Sequence, residues 1–101
     1  MQGGAVRKKL YCVYILTNRA NVVLYTGVTS GLKRRVYEHR GDQADSFTKR
    51  YRVHKLVYYE VFEDPRSAIA REKQIKAGSR RNKVGMITRF NRTWRDLYDE
   101  M

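Results

Sequence analysis

Five polar side chains stand where the surrounding pattern calls for apolar ones or where two kinds of chemistry meet on one turn of helix. Glu72 falls inside the apolar stripe Ala68, Ile69 and Ile75 of a segment that reads as a helix, and it is the only acid among eight cations over residues 71–92. Two accounts fit it. The carboxylate is either an ion-pair partner of Arg71 or Lys76 at the edge of the stripe, or the single protein ligand of a cation otherwise held by waters, which suits Mg2+ better than Zn2+. Arg35 lies three residues after Leu32, and His39 four after Arg35, so one helix presents a fixed cation and a titratable imidazole side by side. The plainer readings are a solvated arginine with its stem on apolar surface and a surface or structurally satisfied histidine. Tyr14 and Tyr25 sit within runs of strand formers, where packing with a satisfied hydroxyl is the ordinary role. Gly27 suggests close approach of a second backbone or a ligand. His54, without a partner in register, reads as structural. No Ser, His and Asp triad can be assembled, and Gly3-Gly4 lies outside any strand-to-helix turn, so acyl-transfer and phosphate-loop chemistry are not supported.

The elements that must position these groups follow from periodicity. The run Tyr11-Cys12-Val13-Tyr14-Ile15-Leu16, stopped by Thr17-Asn18, and the run Val22 to Val28 predict a hairpin. Alternation places Cys12, Tyr14 and Leu16 on one face, Val13 and Ile15 on the other, and Tyr25 with Val23 and Gly27. Ser30 is the expected cap of a helix ending at Gly41; residues 42–52 are polar enough to be a loop, and Lys55 to Phe62 is the third strand. Asp64-Pro65 opens a helix closed by Gly78, Ser79 caps another to about Phe90, and Thr93 with Asp96 resembles a capping box. The order β-β-α-β-α-α-α predicts an α+β fold, a small three-stranded antiparallel sheet flanked by helices.

The chain has 101 residues, with 22 Lys and Arg against 10 Asp and Glu, a net charge of +12. That length fits one domain and excludes a multi-domain enzyme, and 42% hydrophobic residues suffice for a core. One cysteine excludes an internal disulfide and a cysteine-ligated zinc site. No signal-peptide stretch and no helix with a broad apolar face is found, so a soluble cytoplasmic protein with no membrane partner is expected. The positive charge implies a polyanion. It falls in two segments, residues 29–55 and 71–92, while the last nine residues carry Asp96, Asp99 and Glu100 against Arg95.

In order, the singled-out residues resemble the GIY-YIG nuclease superfamily, in particular its small single-domain bacterial branch related to the N-terminal nuclease domain of the bacterial excision-repair excinuclease. Cys12-Val13-Tyr14 is similar to the first half-motif and Tyr25-Thr26-Gly27 to the second, with ten residues between the tyrosines. Leu32 to His39 resembles the Arg-x-x-x-His helix, Ala70-Arg71-Glu72-Lys73 the segment with the metal-binding glutamate, and Phe90 to Tyr98 the ending of the small members. Cys12 stands for the usual glycine and Thr26 for the usual isoleucine. The resemblance implies a domain over residues 11–98, between a flexible basic segment (1–10) and an acidic end (99–101). It implies DNA phosphodiester hydrolysis with a single divalent cation, Mg2+ or Mn2+, on Glu72, and no small-molecule cofactor. Tyr14, Tyr25, Arg35, His39 and Glu72 would be catalytic, with Tyr14 activating water and Arg35 holding the scissile phosphate. Lys33, Arg34, Lys49, Arg50, Lys76, Arg80, Arg81, Lys83 and Asn91 would contact DNA on either side of the cleft. By analogy with relatives, the implied role is DNA repair or recombination on flap or branched structures, on the nucleoid, with a protein partner supplying specificity. A catalytically silent nucleic-acid-binding module and a protein-interaction domain using the acidic end are the competing readings; retention of Tyr14, Arg35 and Glu72 together favours the enzyme.

Overall fold

Strand β1 (Tyr11–Thr17) is the middle of a three-stranded antiparallel sheet of order β2-β1-β3, and residues 13–17 are buried along their whole length. A strand covered on both faces needs a continuous apolar run rather than a half-polar alternation, and Val13-Tyr14-Ile15-Leu16 provides it. The computed structural model describes residues 9–41 and 46–101. Part of the expected N-terminal segment and the start of the expected 42–52 loop lie outside the described residues.

The hairpin to β2 (Leu24–Thr29) pairs Cys12 with Thr29 through Thr17 with Leu24, which sets Tyr14 opposite Gly27. Its turn is held by Asn18, whose Oδ1 accepts from the backbone N–H groups of Val22 (2.8 Å) and Val23 (3.1 Å), and by Asn21 at φ 60°, a left-handed conformation that asparagine tolerates. Strand β3 (Lys55–Phe62) pairs with the other edge of β1. The register slips between Ile15 and Leu16, so that Val57 is the extra residue of a β-bulge and both Val57 and Tyr58 face the same apolar layer.

Each face of the sheet has its own core. Val13 and Ile15 pack with Val57, Tyr58, Ala68 and Ile75 of α3 (Pro65–Ala77) and Ile87 of α4 (Arg80–Phe90). Tyr14 and Leu16 pack with Leu56, Val53, Val36 of α1 (Leu32–Arg40) and Leu97 of a C-terminal 3-10 helix (Leu97–Glu100). The alternation read from the sequence is therefore the observed division of the core, and the fold is the expected α+β arrangement.

Four local expectations change. The residue before α1 is Gly31, which offers no side-chain cap; Thr29 Oγ1 instead accepts from Gly31 N–H at 3.1 Å, and Ser30 does not cap the helix. A further helix, α2 (Ser46–Tyr51), occupies part of the expected loop, making the order β-β-α-α-β-α-α with the terminal 3-10 helix. Ile69 is 43% exposed, because Ala68, Glu72 and Ile75 define the sheet-facing stripe of α3 and Ile69 is rotated off it. Thr93 does not start the last helix: the cap is Asp96, which accepts from Tyr98 N–H at 3.1 Å and from Leu56 N–H at 3.2 Å and pairs with Arg40. The caps at Asp64, accepting from Arg66 N–H (3.1 Å) and Ser67 N–H (3.0 Å), and at Ser79, accepting from Asn82 N–H (3.1 Å), are as expected.

Candidate active site

Tyr14 is 1% exposed, and its ring lies directly over the backbone of Gly27: a Cβ placed there would come within 2.5 Å of both Cζ and Oη. The glycine is thus fixed by the tyrosine across the hairpin. Tyr14 Oη meets Nε2 of His39 at 3.2 Å, and Nδ1 of the same imidazole meets Thr48 Oγ1 at 3.1 Å. His39 (4% exposed) and Thr48 (1% exposed) are both buried, so β1, α1 and α2 are joined by a polar chain inside an apolar layer. Such a chain is stabilising only when each member is bonded, and among the described residues no buried side-chain polar atom lacks a partner. With neutral imidazole, donation from Nδ1–H to Thr48 leaves Nε2 to accept from the Tyr14 hydroxyl.

Tyr25 closes the group from β2. Its ring centroid is 6.4 Å from that of Tyr14 and 5.3 Å from that of His39, the latter edge-on. Arg35, one turn before His39, keeps 43% of its side chain exposed and is 3.5 Å from Glu38. Its pKa is raised, first through a hydrogen bond with Tyr14, so the guanidinium and the tyrosine hydroxyl share one corner. A fixed positive charge beside a phenol favours the phenolate, and its exposed side can donate paired N–H groups to an anion.

Glu72 does not join this hydrogen-bonded group. It stands on α3, which packs on the other face of the sheet against β1 and the edge strand β2, with 13% of its side chain exposed and its carboxylate 2.7 Å from Lys76 Nζ. The ion pair expected of that position is thus present, with Lys76 as the partner. Arg71 instead forks onto Glu60, donating from Nε at 3.1 and 3.2 Å and from Nη2 at 3.0 Å.

The cations divide as the helices do. Lys33 and Arg34 on α1 and Lys49 and Arg50 on α2 are exposed beside the Tyr14 layer. Arg80, Arg81 and Lys83 belong to α4, across the sheet, where Arg81, Lys83, Arg71 and Arg89 line a groove of about 680 Å³ between α3 and α4. The two basic segments therefore lie on opposite faces of the sheet, not on two banks of one cleft. Asn91 is 1% exposed and spends its amide on the fold: Nδ2 donates to the carbonyls of Val57 (3.2 Å) and Arg95 (2.7 Å), and Oδ1 accepts from Arg95 N–H (3.3 Å). That placement fits a brace between α4 and β3 rather than a contact to DNA. His54 is exposed, and its carbonyl accepts from Arg40 Nε at 3.1 Å.

Sequence reasoning missed Thr48. The available signal was Phe47 and Tyr51 at i and i+4, a helical pair concealed by the polarity around it.

The family model of the GIY-YIG catalytic domain matches residues 10–84. The chain belongs to the GIY-YIG family. It is 39% identical over 75 residues to a UPF0213 protein of Staphylococcus haemolyticus, covering 74% of this chain and 90% of that one. It is 38% identical over 76 residues to a UPF0213 protein of Clostridium perfringens, covering 75% and 81%. The solution NMR structure of a UPF0213 protein from Bacillus halodurans superposes with a TM-score of 0.50 at 28% identity, over 78% of this chain and 83% of that one. The chain thus carries a GIY-YIG nuclease domain of the small single-domain kind, a fold of the hydrolase class whose implied substrate is DNA. Both departures from the half-motifs are accommodated: Cys12 keeps regular register between Thr29 and Val61, and Thr26 is buried opposite Ile15. Among the described residues no helix is long and apolar enough to cross a membrane.

Proposed function

We propose that this protein is a divalent-metal-dependent endonuclease that hydrolyses DNA phosphodiester bonds beside Tyr14, Tyr25 and Arg35. The observation that carries the proposal is the chain Tyr14–His39–Thr48 with Arg35 at its open end, set in a GIY-YIG domain.

An ordinary tyrosine, with a pKa near 10, costs about 4 kcal/mol to ionise at pH 7, so a tyrosine base needs a proton acceptor and a compensating charge. In this reading His39 Nε2, 3.2 Å from Tyr14 Oη, takes the Tyr14 proton while Thr48 fixes the tautomer, and Arg35 supplies the charge. The resulting phenolate oxygen accepts a proton from the attacking water as the water oxygen bonds to phosphorus and the P–O bond to the leaving strand oxygen breaks, that oxygen taking its proton from solvent. Arg35 holds a non-bridging oxygen of the scissile phosphate through its exposed N–H groups.

The donor set fits a hard cation. Glu72 offers one carboxylate, and no group of three His, Cys, Asp or Glu side chains exists among the described residues, which leaves the rest of a coordination sphere to water and phosphate, as Mg2+ and Mn2+ accept. Glu72 would hold the ion after releasing Lys76, on the side of the site bounded by the edge strand β2, on which α3 packs and which carries Tyr25. When bound, the ion supplies positive charge to the phosphate oxygens as charge develops on them. Lys33, Arg34, Lys49 and Arg50 contact the phosphate backbone nearby, and no element among the described residues resembles a base-reading helix. Selection by DNA structure, such as flaps or branches, a role in repair or recombination and an accessory specificity partner belong to the same proposal.

The test is to incubate wild type and Glu72→Gln with end-labelled single-stranded, duplex, flap and branched DNA in Mg2+, Mn2+ or EDTA. Products that require metal and are lost in Glu72→Gln are expected. Binding without products in any metal would leave only a nucleic-acid-binding module.

A further inference from the structure

Helix α2 displays rings that the proposed chemistry does not use. Phe47 and Tyr51 are 41% and 42% exposed, although aromatic side chains of that size ordinarily bury most of their surface. They form one continuous array with the site: the Tyr25 and Phe47 centroids are 5.9 Å apart and tilted by 35°, and Phe47 and Tyr51 are 4.9 Å apart. Tyr25 in turn touches His39. The array therefore starts at the hydrogen-bonded chain and runs outward to solvent. Cations flank it: Lys49 is exposed on the same helix, and the Arg50 guanidinium sits over the Tyr51 ring, 5.5 Å from its centroid.

Among the residues of the helix whose burial is described, Thr48 alone is buried, against His39. Its neighbours Phe47 and Tyr51 lie one residue before and three after, so burial of Thr48 does not force them into the open. Exposed rings accompanied by cations, on a surface leading away from a phosphate-directed arginine, match what an unpaired strand needs: π-faces for bases and positive charge for the backbone. A duplex keeps its bases stacked on one another and offers these rings nothing but phosphates.

We propose that Phe47 and Tyr51 form a stacking platform for unpaired nucleobases of DNA, which makes the preferred substrate a single-stranded or splayed strand next to the scissile phosphate. The substrate preference rests on the nuclease reading; the platform itself does not. Tyr25, at the junction, positions the first base relative to Arg35.

The test measures binding by the full chain in EDTA, where metal-dependent cleavage is off, using a single-stranded oligonucleotide carrying one 2-aminopurine and a blunt duplex of the same sequence. Phe47→Ala is expected to weaken single-strand affinity about ten-fold or more and to relieve 2-aminopurine quenching, while duplex affinity changes less than about two-fold. Phe47→Trp is expected to restore single-strand binding, which a merely structural role of the ring would not require. Unchanged single-strand affinity in Phe47→Ala, or equal losses on both DNAs, would overturn the platform. If wild type cleaves no DNA in any metal yet the ring-dependent single-strand binding persists, the nuclease reading fails and the platform stands.

Discussion

Gly27→Ala tests how closely the fold and the proposed chemistry are tied. The added Cβ would lie 2.5 Å from Tyr14 Cζ and Oη, where ordinary contact begins at 3.4 Å, so the end of the ring must retreat by about 0.9 Å or the hairpin must open. The ring is in a fully buried layer, packed with Leu16, Val36 and Leu97, and has little room. Overpacking of this kind costs about 1–3 kcal/mol, and loss of the Tyr14–His39 contact adds about 0.5–1.5 kcal/mol. For a domain of this size that corresponds to a Tm lower by roughly 6–20 °C. Misplacing a reacting group by about 1 Å can cost 10²-fold in rate, so cleavage should fall by about that factor at a temperature where the variant remains folded. Differential scanning calorimetry gives the first quantity and single-turnover cleavage of labelled DNA the second. A variant that melts within about 2 °C of wild type and cuts at the wild-type rate would refute the placement of Tyr14 over Gly27 and its role together.

Four further outcomes follow from the same geometry. Glu72→Gln should lower metal-dependent cleavage about 10²–10³-fold while moving stability by less than about 1 kcal/mol, because its partner Lys76 keeps 54% of its side chain in solvent; a large loss of Tm would make Glu72 a fold residue instead. Tyr14→Phe should abolish cleavage with DNA affinity retained; full activity in Tyr14→Phe alongside an inactive His39→Ala would move the base to the imidazole. Binding to non-specific DNA should weaken with a log–log salt slope near −5 if about six phosphates are neutralised, and a slope near zero would exclude a phosphate-tracking surface. Burial and then the Glu60 hydrogen bond push Tyr58 up to about 12, so its contribution to stability is complete below the ordinary tyrosine value near 10 and is lost as pH rises toward 12. Denaturant titrations should show a falling stability from about pH 10 upward that is smaller in Tyr58→Phe; an unchanged slope would contradict this.

The strands, the facing of β1 and β2 and two helix starts could be read from the sequence because each rests on short-range patterns: alternation in β1 and β2, Asp64-Pro65, and Ser79. What escaped depends on pairing across the chain. Residues 46–51 have too few apolar side chains to announce a helix, yet one buried hydroxyl, that of Thr48, is fixed by a histidine nine residues earlier. The slip that turns both Val57 and Tyr58 to one face exists only where β3 meets β1. The candidate residues Tyr14, Arg35 and His39 stand out for a related reason: they depart from local patterns, and the fold links them through Tyr14. Asn91 resembled a site residue in type, but its neighbours are backbone carbonyls that no local pattern identifies. The acidic end was open to a second reading as a docking surface, but Asp96 is committed to Arg40, Leu56 and Tyr98, and Glu100 pairs with Arg95.

Asp96 has a bearing on where the domain can be cut. The family match stops at residue 84, but this carboxylate beyond it secures the last residue of α1 and the beginning of β3, and Leu97 beside it closes the layer around Tyr14. A version of the chain trimmed to the matched region would keep every residue assigned to chemistry and lose the lid over their shared floor. For this protein the folded unit is larger than the family-matched span, and transplantation or fusion should preserve everything through the terminal 3-10 helix.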